Sequence, residues 1–151
     1  MGYRSDVACA FVFEDELVRD TFHVTAMTKF RDYATERDNK EGSNMAAWTD
    51  SDFAWFEGSF KACTVESRPT LLMQFQNIKW YPDFASIRFV EDVMMEETLE
   101  RGGAYAFVRV GEEDDDLEQR SDASTQFSNG TYFYPGDYVR VARAIVIGDT
   151  D

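Results

Sequence analysis

Residues 6–13, DVACAFVF, alternate cleanly. Val7, Cys9, Phe11 and Phe13 fall on one face at period two, and Ala8, Ala10 and Val12 fall on the other. A strand that is apolar on both faces needs cover on both, so it is expected at the centre of its sheet. The period then changes. Across 14–37, Val18, Phe22, Ala26, Phe30 and Tyr33 recur at helical spacing, and Glu14, Asp15 and Glu16 stand where the positive end of the helix dipole favours them. Residues 38–52 are polar and turn-rich and read as a loop, with a short turn at Met45–Trp48.

Residues 53–66, FAWFEGSFKACTVE, are ambiguous. Phe53, Trp55, Glu57 and Ser59 alternate with Ala54, Phe56 and Phe60, interrupted by Gly58, which favours a strand or irregular hairpin arm; a short helix also fits. A strand follows at 69–81, with Leu71, Met73 and Phe75 on one face. A second helix is expected at 82–101, opened by Pro82 and stopped by Gly102-Gly103. Its apolar stripe is Ile87, Val90, Met94 and Leu99, with Glu91, Asp92, Glu96, Glu97 and Glu100 loading the other side. Residues 104–112 form another strand, 119–130 read as polar and flexible, and 131–148 supply one or two closing strands broken at Pro135-Gly136. The order β, α, β(β), α, β, β predicts an α+β fold: a mainly antiparallel sheet with two helices on one face. A ferredoxin-like arrangement is one candidate.

Composition narrows the function classes. A chain of 151 residues with 44% hydrophobic and 15% aromatic residues fits a single acidic domain, 1–151, with ample material for a core. No apolar run is long enough for a membrane span, and the N-terminus lacks the pattern of a signal peptide, so a cytoplasmic protein is expected. The formal charge of −14 argues against nucleic acid or an anionic membrane as direct partner, because phosphate contacts need lysine and arginine. It permits a basic protein partner.

Catalytic chemistry finds little to work with. His23 is the only imidazole and lies beside a core stripe, there is no Gly-x-Ser-x-Gly, and no phosphate-binding glycine motif is present. Cys9 and Cys63 stand among apolar residues and read as buried, unbridged thiols. No cofactor and no metal are expected. The run at 112–118 places its acids consecutively, whereas a calcium-binding loop alternates its ligands around a central glycine.

That run holds Glu112, Glu113, Asp114, Asp115, Asp116 and Glu118, and residues 91–122 carry twelve acids against Arg101, Arg109 and Arg120. A helix face continued by an exposed loop would offer a ribbon of negative charge to a basic groove, in the manner of a nucleic acid. The bland alternative is a solvated helix face and a solubilising loop. The residues expected to meet a partner are Glu96, Glu97, Glu100, the six acids of 112–118, and Trp80 and Tyr81 as aromatic anchors. Asn at 114–116 is expected to leave stability unchanged or slightly improved.

The stretches MGYRSDV (1–7), IKWYPDF (78–84), YAFVRVGEEDDDLE (105–118) and YVRVARAI (138–145) resemble a group of small bacteriophage accessory proteins that begin Gly-Tyr-Arg-Ser-Asp-Val. The resemblance supplies a context and no mechanism. It implies a partner among host proteins, reached in the host cytoplasm, for takeover or counter-defence. The expectation is therefore a non-enzymatic acidic binding protein that engages a basic host protein. The alternative is a small-molecule-binding or regulatory α+β domain that dimerises through a sheet edge.

Overall fold

The computed structural model describes residues 4–38, 49–80, 85–113, 116–127, 133–141 and 145–148. Strand β1 (Ser5–Val12) leads into helix α1 (Glu16–Asp38). Helix α2 (Asp50–Glu57) precedes the hairpin of β2 (Phe60–Val65) and β3 (Arg68–Ile78). Helix α3 (85–100) is α-helical at both ends and π-helical over Phe89–Met94, where the Met95 N–H reaches back five residues to the Val90 carbonyl. Strands β4 (Ala104–Val110) and β5 (Leu117–Ala123) follow, then a short 3-10 turn at Pro135–Asp137 and a separate small hairpin, β6 (Val139–Val141) with β7 (Ile145–Ile147).

The main sheet runs β2-β3-β1-β4-β5, with antiparallel pairing throughout. Its first four strands, with a helix after β1 and another after β3, have the split βαβ arrangement of ferredoxin-like folds. The expected central strand is central, since β1 pairs with β3 on one side and β4 on the other. Every residue from Val7 to Phe13 is buried.

The helices cover one face. Phe22, Ala26, Phe30 and Ala34 of α1, Phe53 and Phe56 of α2, and Ile87, Phe89, Val90 and Met94 of α3 pack on Val7, Cys9, Phe11, Leu71, Met73 and Phe107. Phe30 is a centre of this layer, stacked on Phe56 at 4.0 Å and edge-on to Phe89 at 5.2 Å. The opposite face is lined by Ala8, Ala10, Val12, Ala104, Ala106 and Val108, and is covered by Phe127, Tyr138 and Val139 with support from Ile145 and Ile147. Cys9 belongs to the helix face and Cys63 packs on the other, so the two thiols point away from each other across the sheet.

Three expectations are corrected. Residues 53–66 are not one strand: α2 ends at Glu57 and β2 starts at Phe60. The helix is fixed by a capping box in which Thr49 accepts from the Asp52 N–H while Asp52 accepts from the Thr49 N–H. This adds a third helix to the two expected. Within 119–130, residues up to Ala123 belong to β5, an ordered edge strand held by its ladder to β4. Of the loop expected at 38–52, residues 50–52 are the first turn of α2 and residues 39–48 lie outside the described residues. No described helix is long and apolar enough to cross a membrane.

Candidate functional site

Residues facing each other across β4 and β5 share a face, so the pairs Tyr105–Asp122, Phe107–Arg120 and Arg109–Glu118 all project on the helix side of the sheet. Helix α3 lies on that side, and its Glu91 carboxylate meets β5: Arg120 Nη1 donates to Glu91 Oε2 at 3.2 Å. The Trp80 indole N–H donates to the other oxygen of Glu91 at 2.8 Å. The carboxylate thus ties the end of β3, the π-helical turn and the edge strand together.

Beyond this junction a groove of about 380 Å³ runs between α3 and the β4–β5 ladder. Met95 and Leu99 of the helix and the Tyr105 ring give it an apolar floor, while Glu91, Asp92 and Glu96 stand on the helix wall and Arg120 on the strand wall. Asp92 is drawn outward to Arg88, 3.3 Å away. Glu96 and Glu100 are exposed and make no ion pair among the described residues. Burial raises the Tyr105 phenol above its ordinary value, opposed by the positive charge of Arg120. The hydroxyl is therefore a neutral donor and acceptor at physiological pH.

The expected site residues divide sharply. Glu97 does not face solvent. Its side chain is 11% exposed and receives Lys29 Nζ from α1 at 3.0 Å and Arg101 Nη2 at 3.0 Å. Burial alone would raise its carboxyl; hydrogen bonds from Lys29 and Arg101 outweigh that and hold it below the ordinary value. Trp80 is also buried, packed on Phe75 and Phe107, and is a core residue rather than an exposed anchor. Tyr81 lies outside the described residues.

The acidic run is more organised than a free loop. The Gly111 N–H donates to the Asp116 carbonyl at 2.8 Å, and the Asp116 N–H donates to the Glu113 carbonyl at 3.0 Å. Arg109 holds both Asp116 oxygens, at 2.8 and 3.0 Å, together with Glu118 at 3.2 Å and the buried Ser5 hydroxyl at 3.1 Å. Its guanidinium is held protonated, above its ordinary value, chiefly by the hydrogen bond to Asp116. Glu112 is exposed and accepts from the Arg4 backbone N–H, and Glu113 is exposed as well. Asp114 and Asp115 lie outside the described residues.

Nor does the run continue from Glu100. Helix α3 ends beside the start of β4, and the run follows the end of β4. A strand of that length separates them by roughly 20 Å. The acids at the groove are instead Glu91, Asp92 and Glu96 of α3, with Asp122 of β5 paired across from Tyr105. Sequence reading passed over Asp122, Arg120 and Tyr105 as components; their alternation in a polar edge strand and its neighbour was the available signal.

Comparison with protein-family models, with curated proteins and with solved structures finds no match to the chain. Among the described residues, no group of three or more His, Cys, Asp or Glu side chains is placed to hold a metal ion. His23 is half-buried on the far side of α1, beside a shallow apolar hollow lined by Val24, Met27 and Glu57. Burial lowers its pKa.

Proposed function

We propose that this chain is a non-enzymatic binding protein that engages a basic protein surface through the side formed by α3 and β5. The observation that carries the reading is the groove between them, lined among the described residues by Glu91, Asp92 and Glu96 with Arg120, and flanked by Arg88 on Asp92. Exposed Glu100 and Asp122 extend the same sign of charge. On a chain of net charge −14, such a side draws cationic partners from solution and repels nucleic acid. The likeness of the four quoted stretches to bacteriophage accessory proteins supports a bacterial host protein as that partner, met in the host cytoplasm.

Nucleic-acid mimicry is the more demanding form of this reading, since it asks for unbroken charge. Glu91, Asp92, Glu97, Asp116 and Glu118 are each paired with a cation inside the chain, which favours a discrete contact over a ribbon. Dimerisation through the β5 edge of the sheet is disfavoured by the charges that strand carries along its length.

The test is capture from bacterial lysate by immobilised wild type and by a Glu96→Lys/Glu100→Lys variant, at low and high salt. A discrete basic protein should bind the wild type at low salt, be released as salt screens the charges, and be absent from the variant. Equal capture by both, insensitive to salt, would refute the reading.

A further inference from the structure

Resting on that reading, we infer that the groove between α3 and β5 is a receptor for one arginine side chain of the partner protein. The chain already fills one end with a guanidinium of its own, Arg120 on Glu91. Glu96 stands five residues along the helix, about 7 Å further on, and has no cation among the described residues. Beside the two carboxylates the floor is Met95, Leu99 and the Tyr105 ring. An incoming arginine would lay its methylene stem on Met95 and Leu99, put its planar head against Tyr105, and reach Glu96 with its forked donors.

Each part of the arrangement selects for this occupant. A carboxylate accepts a guanidinium through two parallel hydrogen bonds, which an ammonium cannot match. An aromatic face attracts a flat cation. An apolar floor suits a long stem and gives a small hydrated ion nothing to hold. An anionic ligand would meet three carboxylates, two of them paired to Arg120 and Arg88 and Glu96 left over, and be repelled by the net negative charge. Glu91 is a positioning residue: with the Trp80 indole on one oxygen and Arg120 on the other, it fixes the strand wall against the helix.

The experiment uses the full chain, with a short arginine-containing peptide and its lysine counterpart as probes, followed by amide chemical shifts and calorimetry at low salt. The arginine peptide should bind more tightly and shift amides of 91–99, 105 and 120. Glu96→Gln should weaken it by about tenfold, the loss of one charge-assisted contact. Glu96→Arg should abolish it, and Glu16→Gln, an exposed acid on α1, should change nothing. Both Glu96 variants are surface changes, and their circular dichroism should match wild type. Equal loss in Glu96→Gln and Glu16→Gln, equal affinity for the two peptides, or shifts away from the groove would overturn the receptor while leaving an acidic binding protein standing. Binding of neither peptide would overturn both.

Discussion

Glu97→Ala should be the most damaging single change to an acid on this chain's helices, although the residue reads from the sequence as part of a solvated face. The carboxylate is buried and accepts from two cations, Lys29 on α1 and Arg101 beyond the end of α3. A hydrogen bond to a charged group contributes about 1.5–3 kcal/mol when buried. The Arg101 contact, with its side chain 27% exposed, belongs at the lower end of that range. Lys29 is 52% exposed, so its contact is screened to about 0–1 kcal/mol. The expected loss is about 1.5–2.5 kcal/mol, or roughly 3–10 °C in Tm for a chain of this size. Glu96→Ala, one residue earlier and exposed, should stay within about 0.5 kcal/mol of wild type. The pH dependence has a definite sign. Since the Glu97 carboxyl is held below its ordinary value of 4.5, its contribution is complete above that pH and is lost as pH falls through the lower folded-state value. Thermal melts of wild type, Glu97→Ala and Glu96→Ala at neutral and acid pH make the test. A Glu97→Ala shift under about 2 °C at neutral pH, or a gap to wild type that widens on acidification, would refute the ion-pair reasoning.

Other changes test other parts of the structure. Asp116→Asn should destabilise by about 1 kcal/mol in urea titration, because it weakens the two-pronged contact to Arg109; a stabilised variant would restore the view of this run as mutually repelling and purely solubilising. Ser67→Gly should raise the unfolding free energy from urea titration by about 0.5–1 kcal/mol, since Glu66 and Ser67 make a two-residue hairpin turn with both φ values positive, 51° and 65°; an unchanged or lowered midpoint would count against that turn. Gly148→Ala should cost about 1–3 kcal/mol or more, because its Cβ would fall 1.7 Å from the Asp137 carbonyl oxygen. Hydrogen exchange should show β6 and β7 opening in that variant while α1 stays protected, and unaltered protection would sink the prediction.

The sequence was legible where burial dictates pattern. Strand β1 announces its central place because both of its faces are apolar, and α1 because Phe22, Ala26 and Phe30 share a stripe that the core then covers. Phe53 and Phe56 carried a helical spacing that the alternation around them masked; the Thr49–Asp52 cap was the deciding local signal. Strand β5 has little apolar pattern, as its order comes from backbone pairing with β4, which composition does not encode. Glu97 was misread although its position was available: it falls three residues after Met94, on the same stripe, and only the arrival of Lys29 from a distant helix makes a carboxylate tolerable there. The groove was illegible for a related reason. It is assembled from an edge strand and a helix whose shared face depends on register, and Arg120 declares its role only beside Glu91.

The alanines of the second sheet face bear on how the chain is made. Synthesis delivers β1 to β4 before the segment that will cover Ala8, Ala10, Ala104 and Ala106 exists. For that interval the nascent sheet can already carry its helices, with one broad side bare. Had that side been built from leucine and phenylalanine, like its opposite, it would be an adhesive surface on every ribosome engaged in making the protein. Four alanines set among Val12, Val65, Leu72 and Val108 leave less to stick to. The same smallness lets a hairpin of two three-residue strands finish the job on arrival, its end held close against the Asp137 backbone by Gly148.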